Sequence, residues 1–398
     1  MRDMRTGSSF AARALSRIGA TVAIVAVALA LSAAPAAAHS VGGVGSTNYV
    51  SRVTAIEPKL PGVAATIVEA GGRLLLTSKT SEVTVTGYQS EPYLRIGPRG
   101  VYENVRSPAV YLNRTRQATD TGSGRADPDA APEWHRVGDG PSYAWHDHNI
   151  HWMGQTDPPV VQSARGTYHL LFGPGGTVSQ DPWKVQVTAA DGTKATILGT
   201  LEWSPGPSSL PWLVIAAGLV AVSAVVGATR RWAPLLGGLI AIALAFDVVH
   251  GIGIALDYSA SPPTQIAKFV SGSAYGIAGW IIAAFGVKLL ARRSIDGLYA
   301  TIFGGLSIAL FGGLLDISYL SKTEIPFALG TGLARASVTV ALGLGIGAAA
   351  GALVAIKRNP EVQLDLLLDE NANGGNANDP AETAAELAAE RPAGVLDA

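Results

Sequence analysis

The sequence predicts a membrane protein in two parts, an all-β extracytoplasmic sandwich of immunoglobulin-like or cupredoxin-like type followed by an all-α bundle of five transmembrane helices. Three observations predict it. Hydrophobic residues fill 48% of the 398 positions and charged ones only 15%, too apolar a balance for an ordinary soluble protein of this length. Short β-branched runs broken by Gly, Pro and Ser occupy the first half, and long apolar segments occupy the second. The amino terminus carries Arg2, Arg5, Arg13 and Arg17, an apolar run over 18–31 and then Ala36, Ala37 and Ala38, the three-part pattern of a Sec signal peptide spanning 1–38.

Cleavage after Ala38 would make His39 the first mature residue, offering one ion both its amine and its imidazole. A cut after Ala36 would place His39 third, where amine, backbone nitrogens and ring can wrap Cu(II) or Ni(II) in a square plane. The β domain is assigned to 39–203, with strands expected at 52–56, 64–68, 73–77, 82–86, 92–96, 109–112, 167–172, 185–188 and 195–203. Between 114 and 133 the chain is polar and aperiodic, as in a surface loop. Residues 204–209, Ser-Pro-Gly-Pro-Ser-Ser, read as a short, stiff linker.

Five apolar segments follow, at 210–228, 234–256, 266–290, 298–320 and 329–356, each long enough to cross a bilayer as a helix. Arg230, Arg231, Lys288, Arg292, Arg293, Lys357 and Arg358 follow the first, third and fifth of these. Basic residues concentrate on the cytoplasmic side, so the β domain is expected outside and the tail inside. Small residues recur every four positions, as in Gly272 and Gly276, Gly305, Ala309 and Gly313, and Gly343, Gly347 and Gly351, a spacing that brings helix backbones close together. The acidic, Asn/Gly/Ala-rich tail over 359–398 is expected to be disordered in the cytoplasm.

The chemistry-bearing stretch is Trp145-His146-Asp147-His148-Asn149-Ile150-His151-Trp152-Met153, which holds three of the seven histidines of a chain without cysteine. Absence of cysteine excludes disulfides and thiolate metal sites. In an extended strand His146 and His148 would share a face, and His151 would join them only if the strand bent or ended near Asn149. All-nitrogen ligation suits Cu(II), with Zn(II) next. Met153 is a weaker, soft candidate, and Asp147 is either a partner orienting an imidazole or a turn residue. The bland alternative is that the histidines satisfy hydrogen bonds around an aromatic core, with Trp145 and Trp152 holding the segment rigid. His135 and His169 read as structural or surface residues. In the apolar half, Asp247 and His250 lie three apart on one helix face and form a weaker metal or proton site. Asp257, Lys268, Asp316 and Arg335 fall nearby, with Arg335 expected to neutralise Asp316 or Asp247.

The combination of a processed His39 with Trp145-His146-Asp147-His148 resembles the copper site of the cupredoxin-like amino-terminal domain in the B subunit of particulate methane monooxygenase. That resemblance implies copper ligation by His39, His146 and His148. His39 behind an Ala-rich signal is also similar to CopC-type periplasmic copper-binding proteins. The segments Gly87-Tyr88-Gln89-Ser90-Glu91-Pro92-Tyr93-Leu94-Arg95 and Arg106-Ser107-Pro108-Ala109-Val110-Tyr111-Leu112-Asn113, with the histidine stretch, look like a family of actinobacterial exported membrane proteins. This last likeness covers most of the chain and implies no particular activity. Five expected spans after a single β domain depart from both copper families, so monooxygenase chemistry is not implied.

A formal charge of -1 without a basic face speaks against nucleic acid as a partner. Phosphate-binding Gly-Lys-Ser/Thr loops, Gly-X-Ser-X-Gly elbows and His-Glu-X-X-His motifs are absent. The expected function is extracytoplasmic copper binding and handling, with zinc as the alternative ion. The expected partners are the lipid bilayer and a copper chaperone or cuproenzyme. The competing reading is an envelope interaction module, free of metal, on a helical anchor.

Overall fold

The computed structural model describes residues 45–115, 117–153, 156, 157, 161, 170, 171, 182–359 and 362. The expected signal peptide, His39, His169 and most of the expected tail lie outside them. Eleven strands are described: β1 (Tyr49–Glu57), β2 (Val63–Val68), β3 (Arg73–Ser78), β4 (Val83–Thr86), β5 (Pro92–Gly97), β6 (Gly100–Asn104), β7 (Trp134–Gly138), β8 (Ser142–Trp145), β9 (Leu170–Leu171), β10 (Trp183–Ala189) and β11 (Lys194–Trp203). Among the described residues they make one sheet of eight strands, in the order β1-β11-β10-β4-β5-β6-β7 with β9 beside β11, and one of three, β2-β3-β8. Alternation of apolar and polar residues gives each strand a buried face. Leu74 and Leu76 on β3 meet Val83, Val85, Leu94, Ile96, Val185, Val187 and Ile197 of the larger sheet in one core. Each such side chain contributes about 1.5–3 kcal/mol on full burial.

The strand expected at 109–112 is instead a helix, α1 (Pro108–Leu112). Ser107 caps it by accepting the Ala109 N–H at 3.2 Å, and Pro108 supplies a helical φ at the first position. This local chemistry outweighs the β propensity of Val110 and Tyr111. Strands β6, β7 and β8 had no counterpart in the sequence reading, and of the strand expected at 167–172 only Leu170 and Leu171 are described.

The second half is helical: α2 (Leu210–Gly227), α3 (Trp232–Asp257), α4 (Pro262–Gly272), α5 (Ala274–Leu290), α6 (Ile295–Ile308), a π-helical segment (Ala309–Leu314), a 3-10 turn (Ile317–Leu320) and α7 (Thr331–Arg358). Four helices are long and apolar enough to cross a membrane, with α6 counted together with its π-helical extension. The third expected span is not one straight helix, because α4 and α5 meet at a 70° bend. The break falls at Gly272-Ser273, and Gly/Ser pairs are common kink sites. A count of five spans therefore requires that bent pair to act as one.

Helix α7 packs against α2, α3 and α6. Its Gly343 and Gly347 lie against Ala216, Leu219 and Ser223 of α2, and Gly305 of α6 meets Gly345, the close packing that the small-residue spacing predicts. Gly272 does not take part, having no neighbour close enough to meet a Cβ. Leu210, Val214, Val222 and Val225 of α2 face outward, as suits contact with lipid.

The β region sits directly on the helices. Thr47 and Glu324 exchange two backbone hydrogen bonds of 2.9 and 2.8 Å. Ser46 Oγ lies 2.7 Å from Ser318 Oγ, and the Ser259 N–H donates to Glu69 Oε1 at 3.1 Å. The linker is pinned as well, since the Ser204 N–H donates to the Asn48 carbonyl and the Thr323 hydroxyl donates to the Ser204 carbonyl.

Candidate metal centre

Strand β8 ends at Trp145, and Asp147 ends it. Its carboxylate is 4% exposed and accepts the Trp145 indole N–H at 3.0 Å and the Asn149 backbone and side-chain N–H groups at 3.0 Å each. The Asn149 bond is an Asx-turn, and the Ile150 N–H closes a β-turn on the Asp147 carbonyl at 3.3 Å. Ile150 then anchors the turn in the core. Asp147 is therefore a buried turn-former rather than a partner of an imidazole, and the reversal it creates brings His146 and His151 together.

Their Nε2 atoms are 2.7 Å apart and their ring centroids 4.2 Å apart. His148 lies with its ring centroid 5.2 Å from that of His146 and 5.8 Å from that of His151. Each ring is tied to a backbone carbonyl: His146 Nδ1 to Gly72 at 3.0 Å, His151 Nδ1 to Trp152 at 3.2 Å and His148 Nε2 to Thr115 at 3.1 Å. A carbonyl oxygen can only accept, so those nitrogens carry the protons. In the neutral rings the lone pairs then fall on Nε2 of His146 and His151, which face each other. Two facing lone pairs repel, so a pair this close suits a shared proton, or a cation off the line between them onto which both lone pairs turn.

Trp145 lies in the core, and Trp152 stacks on Tyr49 with centroids 5.9 Å apart. Tyr88 stacks on His148, and its hydroxyl lies 2.6 Å from Asn113 Oδ1 and 3.3 Å from Asp147 Oδ1 while accepting the His148 N–H at 2.9 Å. Tyr88 is partly exposed, and its hydroxyl is held among Asn113, Asp147 and the His148 N–H. Burial, and then the Asp147 charge, hold this phenol well above its ordinary pKa, so it stays protonated. Met153 is half-buried, and His135 is an exposed residue beside Glu133. Among the described residues no three His, Asp or Glu side chains form a group placed to hold one metal ion. The histidine cluster therefore offers a close pair with a third ring nearby.

The second constellation assembles differently from expectation. His250 Nε2 lies 2.9 Å from Asp316 Oδ2, both residues being buried at 3% and 6% exposure. The Trp280 indole N–H donates to Asp247 Oδ2 at 2.7 Å. Arg335 neutralises neither carboxylate. Standing in the first turns of α7, it donates to the Tyr319 and Lys322 carbonyls at 3.2 and 2.9 Å, where the 3-10 turn leaves backbone acceptors open. Sequence reasoning missed Trp280, Tyr88, Asn113 and the Gly72 and Thr115 carbonyls. Tyr88 and Asn113 lie in the two segments quoted for the family likeness, whereas a backbone carbonyl leaves no trace in composition. Comparison with known protein families, characterised proteins and solved structures finds no match to this chain.

Proposed function

We propose that the protein binds Cu(II) through the facing Nε2 atoms of His146 and His151, with His148 beside them, and handles the ion at the outer face of the membrane. The observation that carries this reading is the 2.7 Å separation of two nitrogens whose partner atoms are each committed to a carbonyl. Ligands at right angles on an ion with bonds of about 2 Å lie about 2.8 Å apart, and tetrahedral ones about 3.3 Å apart. A small turn of either ring reaches both spacings from 2.7 Å, and the all-nitrogen donor set is what favours Cu(II) over Zn(II). The carbonyl bonds orient the rings as backbone partners do around metal-ligating histidines. His39, through its amine and ring, belongs to the same reading as a further ligand, as do a chaperone or cuproenzyme that receives the ion and an anchor of five spans with the bent pair as the third.

Cu(II) titration of the full-length protein in lipid nanodiscs, followed by electron paramagnetic resonance, tests it. One tightly held, nitrogen-ligated ion is expected, and His146→Ala with His151→Ala should remove it. A wild-type spectrum and affinity in that double variant would sink the proposal and leave the β region as an interaction module.

A further inference from the structure

The helices hold a buried imidazole with an unused nitrogen. His250 is fixed from one side by Asp316, and its other ring nitrogen, Nδ1, is buried without a hydrogen-bond partner. When the Asp316 carboxylate accepts from Nε2–H, Nδ1 carries the lone pair, the arrangement in which a histidine ligates a metal through one nitrogen and is oriented through the other. A lone pair left bare at 3% exposure is costly unless something occupies the space beside it.

His250 borders a cavity of about 40 Å³, together with Asp247, Lys268, Ser273, Tyr275 and Trp280, among others. One water needs about 10–15 Å³, so the cavity can take an ion with part of its hydration. It lies where the chain departs from regular helix: the α4–α5 bend supplies Gly272 and Ser273, and the π-helical segment supplies Phe311. Gly312 of the same segment lets Asp247 Oδ1 approach the backbone where a Cβ would collide with it. π-Helical turns and broken helices recur at functional sites.

We propose that His250 Nδ1 and the Asp247 carboxylate form a second site for a divalent transition-metal ion inside the helical region, completed by water. Asp316 orients the imidazole, and the Trp280 indole orients the carboxylate. The two ligands are three residues apart on α3 and share its face. A bare imidazole nitrogen beside a carboxylate is a nitrogen-oxygen donor pair, which suits a transition-metal ion better than an alkali or alkaline-earth one. Two protein ligands make a weaker site than three, as suits an ion in passage. The choice of copper as the probe rests on the function proposed above, whereas the location does not.

The test uses full-length protein in nanodiscs, with Cu(II) as probe, in a background carrying His146→Ala, His148→Ala and His151→Ala. Adding His250→Ala should remove one bound ion and its mixed nitrogen-oxygen spectrum. Asp316→Asn, which preserves shape, should weaken that ion about 10–100-fold. Unchanged copper uptake on adding His250→Ala, or unchanged affinity in Asp316→Asn should the former fail to fold, would overturn the site and leave water as its occupant. Loss confined to the His146 and His151 variants would support the outer site alone, and loss confined to His250→Ala would support the inner one alone.

Discussion

Asp147 shows how a single side chain sets the geometry of the histidines. It accepts from the Trp145 indole and from both N–H groups of Asn149, and the Tyr88 hydroxyl lies against it. Asp147→Ala would leave the Trp145 donor buried and unpaired, at about 1–3 kcal/mol for each such group. Thermal unfolding of the full chain should show a loss of a few kcal/mol, with His146 and His151 separating as the turn relaxes. A variant that kept both its melting temperature and its copper affinity would contradict this role. The histidines themselves were legible in the sequence, because three in six residues stand out. Their pairing was not, since it depends on an Asx-turn and on carbonyls of Gly72 and Thr115, 74 and 33 residues away in the chain from His146 and His148.

At the scale of elements, a helix was read where a span is apolar and a strand where β-branched residues run together. Both rules hold where nothing local opposes them, as in α2, α3 and α7. They fail at α1, where Ser107-Pro108 starts a helix, and at Gly272-Ser273, where a span breaks. The π-helical segment carries the sharpest expectation. Gly312→Ala would drive a methyl into the Asp247 carboxylate, whereas Gly238→Ala in α3 meets nothing within 4 Å. The first should cost thermal stability and disturb the Asp247 site. The second should be neutral or stabilise by about 0.5–1 kcal/mol, because alanine restricts the unfolded chain and favours helix. Equal effects from the two would show that Asp247 does not need the π-helical geometry.

Over the whole molecule, short β-branched runs and long apolar segments predicted the two-part layout, and four long apolar helices beside two sheets agree with it. The junction was invisible to such patterns, because its bonds are made by backbone groups and by single polar side chains, Ser46, Asn48, Glu69, Ser318 and Thr323, that no run of hydropathy marks. Glu324 stands in it with its pKa raised by burial, the nearby Arg52 charge only partly opposing this. A carboxyl that binds its proton more tightly when folded favours the folded junction at low pH. That advantage is lost as pH rises from the ordinary glutamate range through the raised value. Protection factors at the Thr47 and Glu324 amides, taken after correction for the intrinsic pH dependence of exchange, should therefore fall across that interval, and Glu324→Gln should flatten the dependence. A pH-independent junction in the wild type would show that Glu324 does not control it. The junction also has a mechanical consequence. Asn48, near the start of the β region, bonds both Ser204, just past its last strand, and Thr323, so the region is gripped at both ends rather than hung on a tether. Ser46 holds Ser318, two residues from Asp316. A displacement of the sheets would thus reach the turn next to Asp316 through a direct bond instead of through a slack linker.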